Sequence, residues 1–464
     1  MKKSPFLSVS RFAKILRKSQ SKKSNKKMLK KEDSGKKKTT LKKKKSKKKI
    51  IDGNNTTLAD KIKKMKTPIQ FFKTILNHHD KKNIIPTGDI TETTKEFFKE
   101  FFQKFKDVKF DTPTLTKQSV FNRTRRIQLF DHIDDTLRES VEQQMETTFT
   151  YSVHIGRPIH ISISVNKEDE DTVIQYVKMI LFWLHIVNQY TTKTTCSNSL
   201  SIYLMLSDLK KVLKSPECGS NDTGGCIIKK TSVNTGFSNK CSHIVIYRKE
   251  EWFKVFIHET IHNYGLDFSF RRQTEEENIL KYFGITAHKF QVRLYEAYTE
   301  SWARIMNALL HAFNQEHKDF DKFMKLADEN IQLERLNAYF QTAKILNYMK
   351  LDMDNLKDYN EETSNLSYYF IVCMLYSDYQ DYILWSRKNN DGNILQFNNS
   401  VDNQQEIFVN YIKKCHQSPI FQKNLKYFKD SILKMEIDED DYLRTYMKKS
   451  LLNESSVLEF NFLA

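Results

Sequence analysis

Hydrophobic positions follow two regimes along the 464 residues. From His154 to Val165 they alternate, with Ile159, Ile161, Ile163 and Val165 on one face, which is the period of a strand. Thr172 to Tyr190 is apolar almost throughout and predicts a long buried helix. Leu200–Leu206 and His243–Arg248 predict two further strands, and Val233–Ser238 a short extended segment. Pro216, Gly219, Gly224 and Gly225 mark a loop over residues 215–232. Beyond residue 270 the spacing is helical over Ala287–Phe313, Asp319–Met349, Leu366–Trp385, Glu406–His416 and Phe421–Met435, with Glu436–Asp441 an acidic surface turn. Upstream, Phe97, Phe98, Phe101, Phe102 and Phe105 recur at helical intervals, more a packing face than a binding surface. The expected fold class is α+β, a small mixed sheet followed by a large helical lobe. Four regions are expected: a basic tail over 1–66, a helical N-terminal region over 67–150, an α/β lobe over 151–270, and a helical C-terminal lobe over 271–464. Only 11 Gly and 7 Pro against 32 Phe and 21 Tyr agree with a helix-rich protein.

Charge alters the picture at one end only. Residues 1–50 hold 22 of the 76 Lys+Arg and 2 of the 57 Asp+Glu, so the rest of the chain carries 54 basic against 55 acidic groups. The basicity belongs to the tail, which is expected to be disordered by self-repulsion. It suits non-specific binding of nucleic acid or another anionic surface, or nuclear targeting, since phosphate contacts carry no sequence information; a solubilising tail without a specific partner is the bland alternative. Arg123, Arg125 and Arg126 form a small basic cluster of no evident use. No apolar run of signal-peptide length follows the N-terminus, so classical secretion is not expected. Val173–Val187 is too short, and too interrupted by Lys178 and His185, to span a membrane. Six cysteines make no disulfide framework and fit an intracellular setting, cytoplasmic or nuclear, or a virion. Cys218, Cys226 and Cys241 match no zinc-finger spacing; ordinary thiols are the default, with a loop-stapling disulfide or a second metal as alternatives.

The chemistry concentrates in Trp252–Gly265, which contains His258-Glu259-x-x-His262. Two histidines four apart on a helix face the same way, so both imidazoles reach one cation. Glu259 sits slightly round the helix, where it can hold a water. Val255, Phe256 and Ile257 before the motif, and Thr260, Ile261 and Asn263 within and after it, carry no charge, and Gly265 can end the helix in the left-handed conformation. An exposed helix carrying these residues incidentally is the bland alternative. The segment resembles the active-site helix of the zincin metallopeptidases, and the order strand, helix, strand, short strand, strand, helix resembles their N-terminal lobe.

That resemblance implies a catalytic zinc with a third protein ligand. A metzincin would have histidine where Phe268 stands, and Asp267 is one position off the register of the aspartate variant. Tyr295-Glu296-Ala297-Tyr298-Thr299-Glu300 is similar to the second metal helix of gluzincins, which implies Glu296 as ligand and Glu300 as the acid that orients a ligating histidine. Both glutamates share a helix face; two solvated surface glutamates are the plain alternative. The resemblance further implies Glu259 as general base and an oxyanion donor, for which Tyr264, Tyr282, Tyr295 and His288 are open candidates. It also implies edge-strand pairing with an extended peptide or protein substrate, at Asn234, Gly236, Ile244 and Ile246. A slighter likeness, over Arg248–Trp252 and Gly265–Ser269, is to uncharacterised zinc metallopeptidases predicted in large DNA viruses. The rival function is a non-enzymatic virion or nucleic-acid-associated protein that keeps a zincin scaffold behind its basic tail.

Overall fold

The computed structural model describes residues 67–77, 84–118, 133–191, 198–213, 226–285, 290–390, 393–435 and 441–452. The basic tail, Arg123 to Arg126, Cys196, Cys218, His288 and most of the acidic 436–441 turn lie outside them. All described residues belong to one compact unit, Thr56–Ala464.

The elements run α1 (Pro68–Asn77), α2 (Glu92–Asp107), β1 (Thr116–Gln118), α3 (Asp135–Gln144), β2 (Thr147–Ile155), β3 (Arg157–Val165), α4 (Glu170–Val187) and β4 (Leu200–Met205). They continue with β5 (Gly236–Ser238), β6 (His243–Ile246), α5 (Trp252–Asn263), α6 (Glu276–Tyr282), α7 (Leu294–Glu316) and α8 (Phe320–Met349). A π-helical turn over Leu366–Ile371 leads into α9 (Val372–Ser377) and α10 (Tyr379–Asn389), then α11 (Gln404–Gln417), α12 (Pro419–Asp430) and α13 (Asp441–Thr445).

The fold is mixed α+β: an open six-stranded sheet in the order β1-β2-β3-β4-β6-β5, with many helices. β3, β4 and β6 are mutually parallel, while β1, β2 and β5 run antiparallel to their neighbours. The alternation sorts side chains between two cores. Ile159, Ile161, Ile163, Ile202, Leu204, Ile244 and Ile246 enter the large core with α4 and α5. Met205, Val245 and Tyr247 face the other way, against Val141 and Met145 of the α3 segment.

Several expectations need correcting. The alternation over 154–165 spans a hairpin rather than one strand: Gly156, at φ 68°, turns the chain between β2 and β3. A Cβ there would meet Asn188 Oδ1 at 2.3 Å, so both conformation and space call for glycine. The 67–150 region is not simply helical, since it contributes β1 and the start of β2. Its phenylalanine stripe is buried and packs on the C-terminal helices, with Phe98 and Phe102 against Phe323 and Phe102 and Phe105 against Phe313. The 366–385 helix is broken at Asp378, which leaves the helical conformation and whose side chain caps a new helix by accepting from Asp381 N. Cys226 and Cys241 are disulfide-bonded and so are not the default free thiols, whereas Cys373 and Cys415 are free and buried. Among the described residues no helix is long and apolar enough to cross a membrane.

Candidate metal centre

α5 is buried along almost its whole length, packed on α4, β5, β6 and α7. Its polar residues are fixed from outside: Trp183 Nε1 donates to Thr260 Oγ1 across 2.6 Å, and Arg157 donates to Asn263 Oδ1 across 2.6 Å. The helix ends in a Schellman turn, with Gly265 N donating to His262 O and Leu266 N to Ile261 O. Gly265 holds φ 67° there. The chain therefore reverses, and Asp267 returns to the helix it has just left.

One face of α5 meets one face of α7. His258 Nε2 and His262 Nε2 lie 3.0 Å apart, and Glu296 Oε2 is 3.1 Å from the first and 3.2 Å from the second. All three residues are nearly enclosed. The far side of each ring meets an acid. His262 Nδ1 is 2.5 Å from Asp267 Oδ2, and His258 Nδ1 is 3.0 Å from Glu300 Oε2, in contact but poorly aligned for a hydrogen bond. Glu300, fully buried, is also held by Lys254 Nζ at 2.9 Å and Arg304 Nε at 2.9 Å.

The donor set fits a cation. Rings whose Nδ1 sides face carboxylates present their Nε2 lone pairs to the centre. Two such nitrogens and a carboxylate oxygen within 3.2 Å of each other repel unless positive charge lies among them. Ligand atoms on a tetrahedral zinc, at about 2.0–2.1 Å from the ion, are about 3.3 Å from one another. Among the described residues this is the group of histidine and acid side chains placed to hold a metal ion. Electrostatics point the same way. Burial works against a charge on Glu296, but the two histidines outweigh it and hold the carboxyl well below its ordinary range. Burial likewise opposes a charge on His262, and Asp267 and Glu296 outweigh it, raising the imidazole well above its ordinary value.

Glu259 does not join this triangle. Its Oε2 accepts from Ser238 Oγ at 2.7 Å, which ties it to strand β5. β5 is an edge of the sheet, whereas β6 has partners on both sides, β4 and β5. Ile244 and Ile246 are fully buried in that interior strand. They are therefore unavailable for edge pairing, which leaves β5. Gly236 belongs to it, where a Cβ would meet Val245 O at 2.7 Å. Asn234 lies just before it, its Oδ1 accepting from Thr363 Oγ1 at 3.0 Å.

The tyrosines divide clearly. Tyr264 is buried, with the Arg157 guanidinium 4.3 Å above its ring, and Tyr282 is bound to His416 Nδ1 at 2.9 Å, so both are engaged elsewhere. Tyr295 sets its ring against His262, 5.7 Å between centroids. Tyr368, on the π-helical turn, is the one that sequence reasoning overlooked. Its ring is 5.9 Å from His258. Burial, and then the carboxylates of Glu296, Glu259 and Glu300, push its pKa well above the ordinary value. Asp267, Ser238 and Lys254 were overlooked as well. The signal for Asp267 was present in Gly265, because a left-handed residue after a helix turns the next residues back onto its last turn.

No protein-family model, no curated protein and no solved structure matches the chain.

Proposed function

We propose that the chain is a zinc-dependent peptidase of the gluzincin kind, with a zincin-like arrangement of sheet, motif helix and second metal helix. The observation that carries the reading is the convergence of His258, His262 and Glu296 beside a carboxylate, Glu259, that is not part of the triangle. His258, His262 and Glu296 would hold the zinc, which when bound supplies a Lewis acid and lowers the pKa of water.

The chain's own groups perform the rest. Glu259 takes a proton from the attacking water and later returns it to the leaving amine. Ser238 restrains that carboxylate through one oxygen and leaves the other for the water. Asp267 holds the His262 ring in place, and Glu300, neutralised by Lys254 and Arg304, does the same for His258. Tyr368 provides a hydroxyl beside the triangle, suited to an oxygen that gains negative charge as the carbonyl is attacked. The outer edge of β5 offers backbone groups to an extended peptide, next to Glu259.

The test is metal analysis and peptide-library digestion with the purified full chain. One zinc per chain is expected, with cleavage stopped by a chelator and restored by zinc. A double His258→Ala, His262→Ala variant that keeps its zinc would overturn the assignment.

A further inference from the structure

A cleft of about 780 Å³ opens where three segments that border the metal centre meet. Asn234 approaches from the start of β5, Arg293 from the residue before α7, and Thr363 and Ser364 from the turn before Tyr368. The segments are tied together. Ser367 Oγ donates to Arg293 O at 2.8 Å, Thr363 donates to Asn234, and Glu296 N donates to Arg293 O at 3.0 Å. Each therefore leads within a few residues to a group of the site: Ser238, which is bonded to Glu259, or Glu296, or Tyr368.

The charges in this cleft are unequally satisfied. Lys230 is 3.8 Å from Asp134, and its backbone N–H donates to Glu362 at 3.2 Å. Glu361 is buried and accepts from Tyr359 Oη and Leu366 N, each at 2.7 Å. Burial pushes its carboxyl up to about 8, although Arg293 pulls the other way, so near neutral pH it is mostly uncharged. Arg293 and Lys229 are both exposed. Among the described residues no acceptor or acid lies within bonding distance of either side-chain head. With Glu361 mostly neutral, the wall sets Lys229, Lys230 and Arg293 against Asp134 and Glu362, so it is positive on balance and favours an anionic occupant.

Resting on the peptidase reading, we infer that this cleft is a subsite for an acidic side chain, Asp or Glu, of the bound peptide, with Arg293 and Lys229 as its charged contacts. Position follows from strand geometry. Ser238 marks the reacting end of β5, and Asn234 is four residues away, about 13 Å at 3.3 Å per residue. A peptide laid along this edge places in the cleft a side chain two to four residues from the cleaved bond.

Library profiling of the zinc-loaded full chain should show Asp or Glu enriched at one such position. Arg293→Glu should lower the ratio of kcat/KM for the acidic peptide over its Lys analogue at least about 10-fold. No enrichment there, or an Arg293→Glu variant that slows all peptides alike, overturns the subsite. If the wild type cleaves nothing, the peptidase reading fails by itself, and the subsite is judged by fluorescence anisotropy on Glu259→Gln protein. Tighter binding of the acidic peptide, reversed by adding Arg293→Glu, supports it, and equal binding of both peptides overturns it.

Discussion

His262 Nδ1 and Asp267 Oδ2 lie 2.5 Å apart, joined by the turn at Gly265. An ionised carboxylate only accepts, so the imidazole donates from Nδ1, and in its neutral form, the form that binds a metal, its Nε2 is the lone pair facing His258 and Glu296. The same carboxylate is steadied by Ser269 Oγ at 2.8 Å on its other oxygen. Asp267→Asn keeps the shape and removes the charge. Zinc affinity, measured by competition with a chromophoric chelator, should fall about 10- to 100-fold. Unchanged affinity would show that the contact is packing alone.

Glu259 supplies the second prediction. Glu259→Gln should retain zinc and fold while lowering turnover at least about 10²-fold. Ser238→Ala, which frees the carboxylate without removing it, should give a smaller loss, in kcat more than in KM. A Glu259→Gln enzyme with normal turnover would refute the proton-transfer role.

Glu296 and Glu300 sit one turn apart on α7 but differ in surroundings. Glu296 faces two histidines, whereas Glu300 has His258 on one side and Lys254 and Arg304 on the other. Glu296→Ala should abolish zinc retention, because two histidines alone hold zinc weakly. In the wild type, adding excess zinc to chelator-stripped protein should raise Tm, since a ligand bound only by the folded state stabilises it. Glu296→Ala should lose that rise. Glu300→Gln should lower stability whether or not zinc is present, because Lys254 and Arg304 are left buried with a weaker partner. Equal zinc-dependent rises in the two variants would mean that Glu296 is not a ligand.

What the sequence made legible, and what it hid, has a physical pattern. His258, Glu259 and His262 are read from one helix, where spacing alone fixes direction, whereas the phase of a second helix only puts Glu296 and Glu300 on one face, and the choice of Glu296 came from the resemblance. Contacts that depend on a turn or on distant chain were harder. Tyr368 lies 72 residues beyond Glu296, on a π turn that no helical periodicity reveals. Lys254 carried no reading of its own, because the Glu300 that pairs with it in the interior arrives from another helix. The β2–β3 hairpin hid inside a single alternation, since Gly156 reverses the chain without breaking the pattern. Residues 244 and 246 have the composition of a cleft-lining strand, but only sheet order shows that β6 is interior.

Acid stability gives a fourth prediction, from the pair at the start of α5. Glu251, in the left-handed conformation at φ 61°, meets Lys211 Nζ at 2.6 Å, and its other oxygen accepts from Ser450 N at 2.5 Å. Burial opposes the carboxylate, but Lys211 and Lys254 overcome it and bring the pKa down to about 2. Lys211 is itself pushed down, chiefly by burial; the carboxylate decides the acid limb. A depressed folded value stabilises fully above the unfolded pKa, near 4.5, and the contribution is lost as pH falls toward 2. The wild type should therefore exceed Glu251→Gln by about 3–5 kcal/mol near neutral pH. Urea titrations should show that gap narrowing by about 2 kcal/mol between pH 5 and pH 3. A gap that stays constant with pH would contradict the pairing.

Tyr368 is the residue whose role rests most on geometry. Its ring is 5.9 Å from His258, and Lys449 Nζ lies 3.3 Å above that ring. Burial and the surrounding acids keep the phenol protonated, so it remains a donor over the working pH range. Tyr295, on the opposite side, packs edge-on to both His262 and Phe268. Substituting each by Phe separates donation from packing. A donor to charge that develops only during attack affects kcat and leaves KM and metal content nearly intact. Tyr368→Phe should thus lower kcat about 10²-fold or more with one zinc retained, and Tyr295→Phe should change it far less. A reversed order would move the donor role to Tyr295. Loss of zinc from Tyr368→Phe would instead mean that the hydroxyl's main service is to position Glu296.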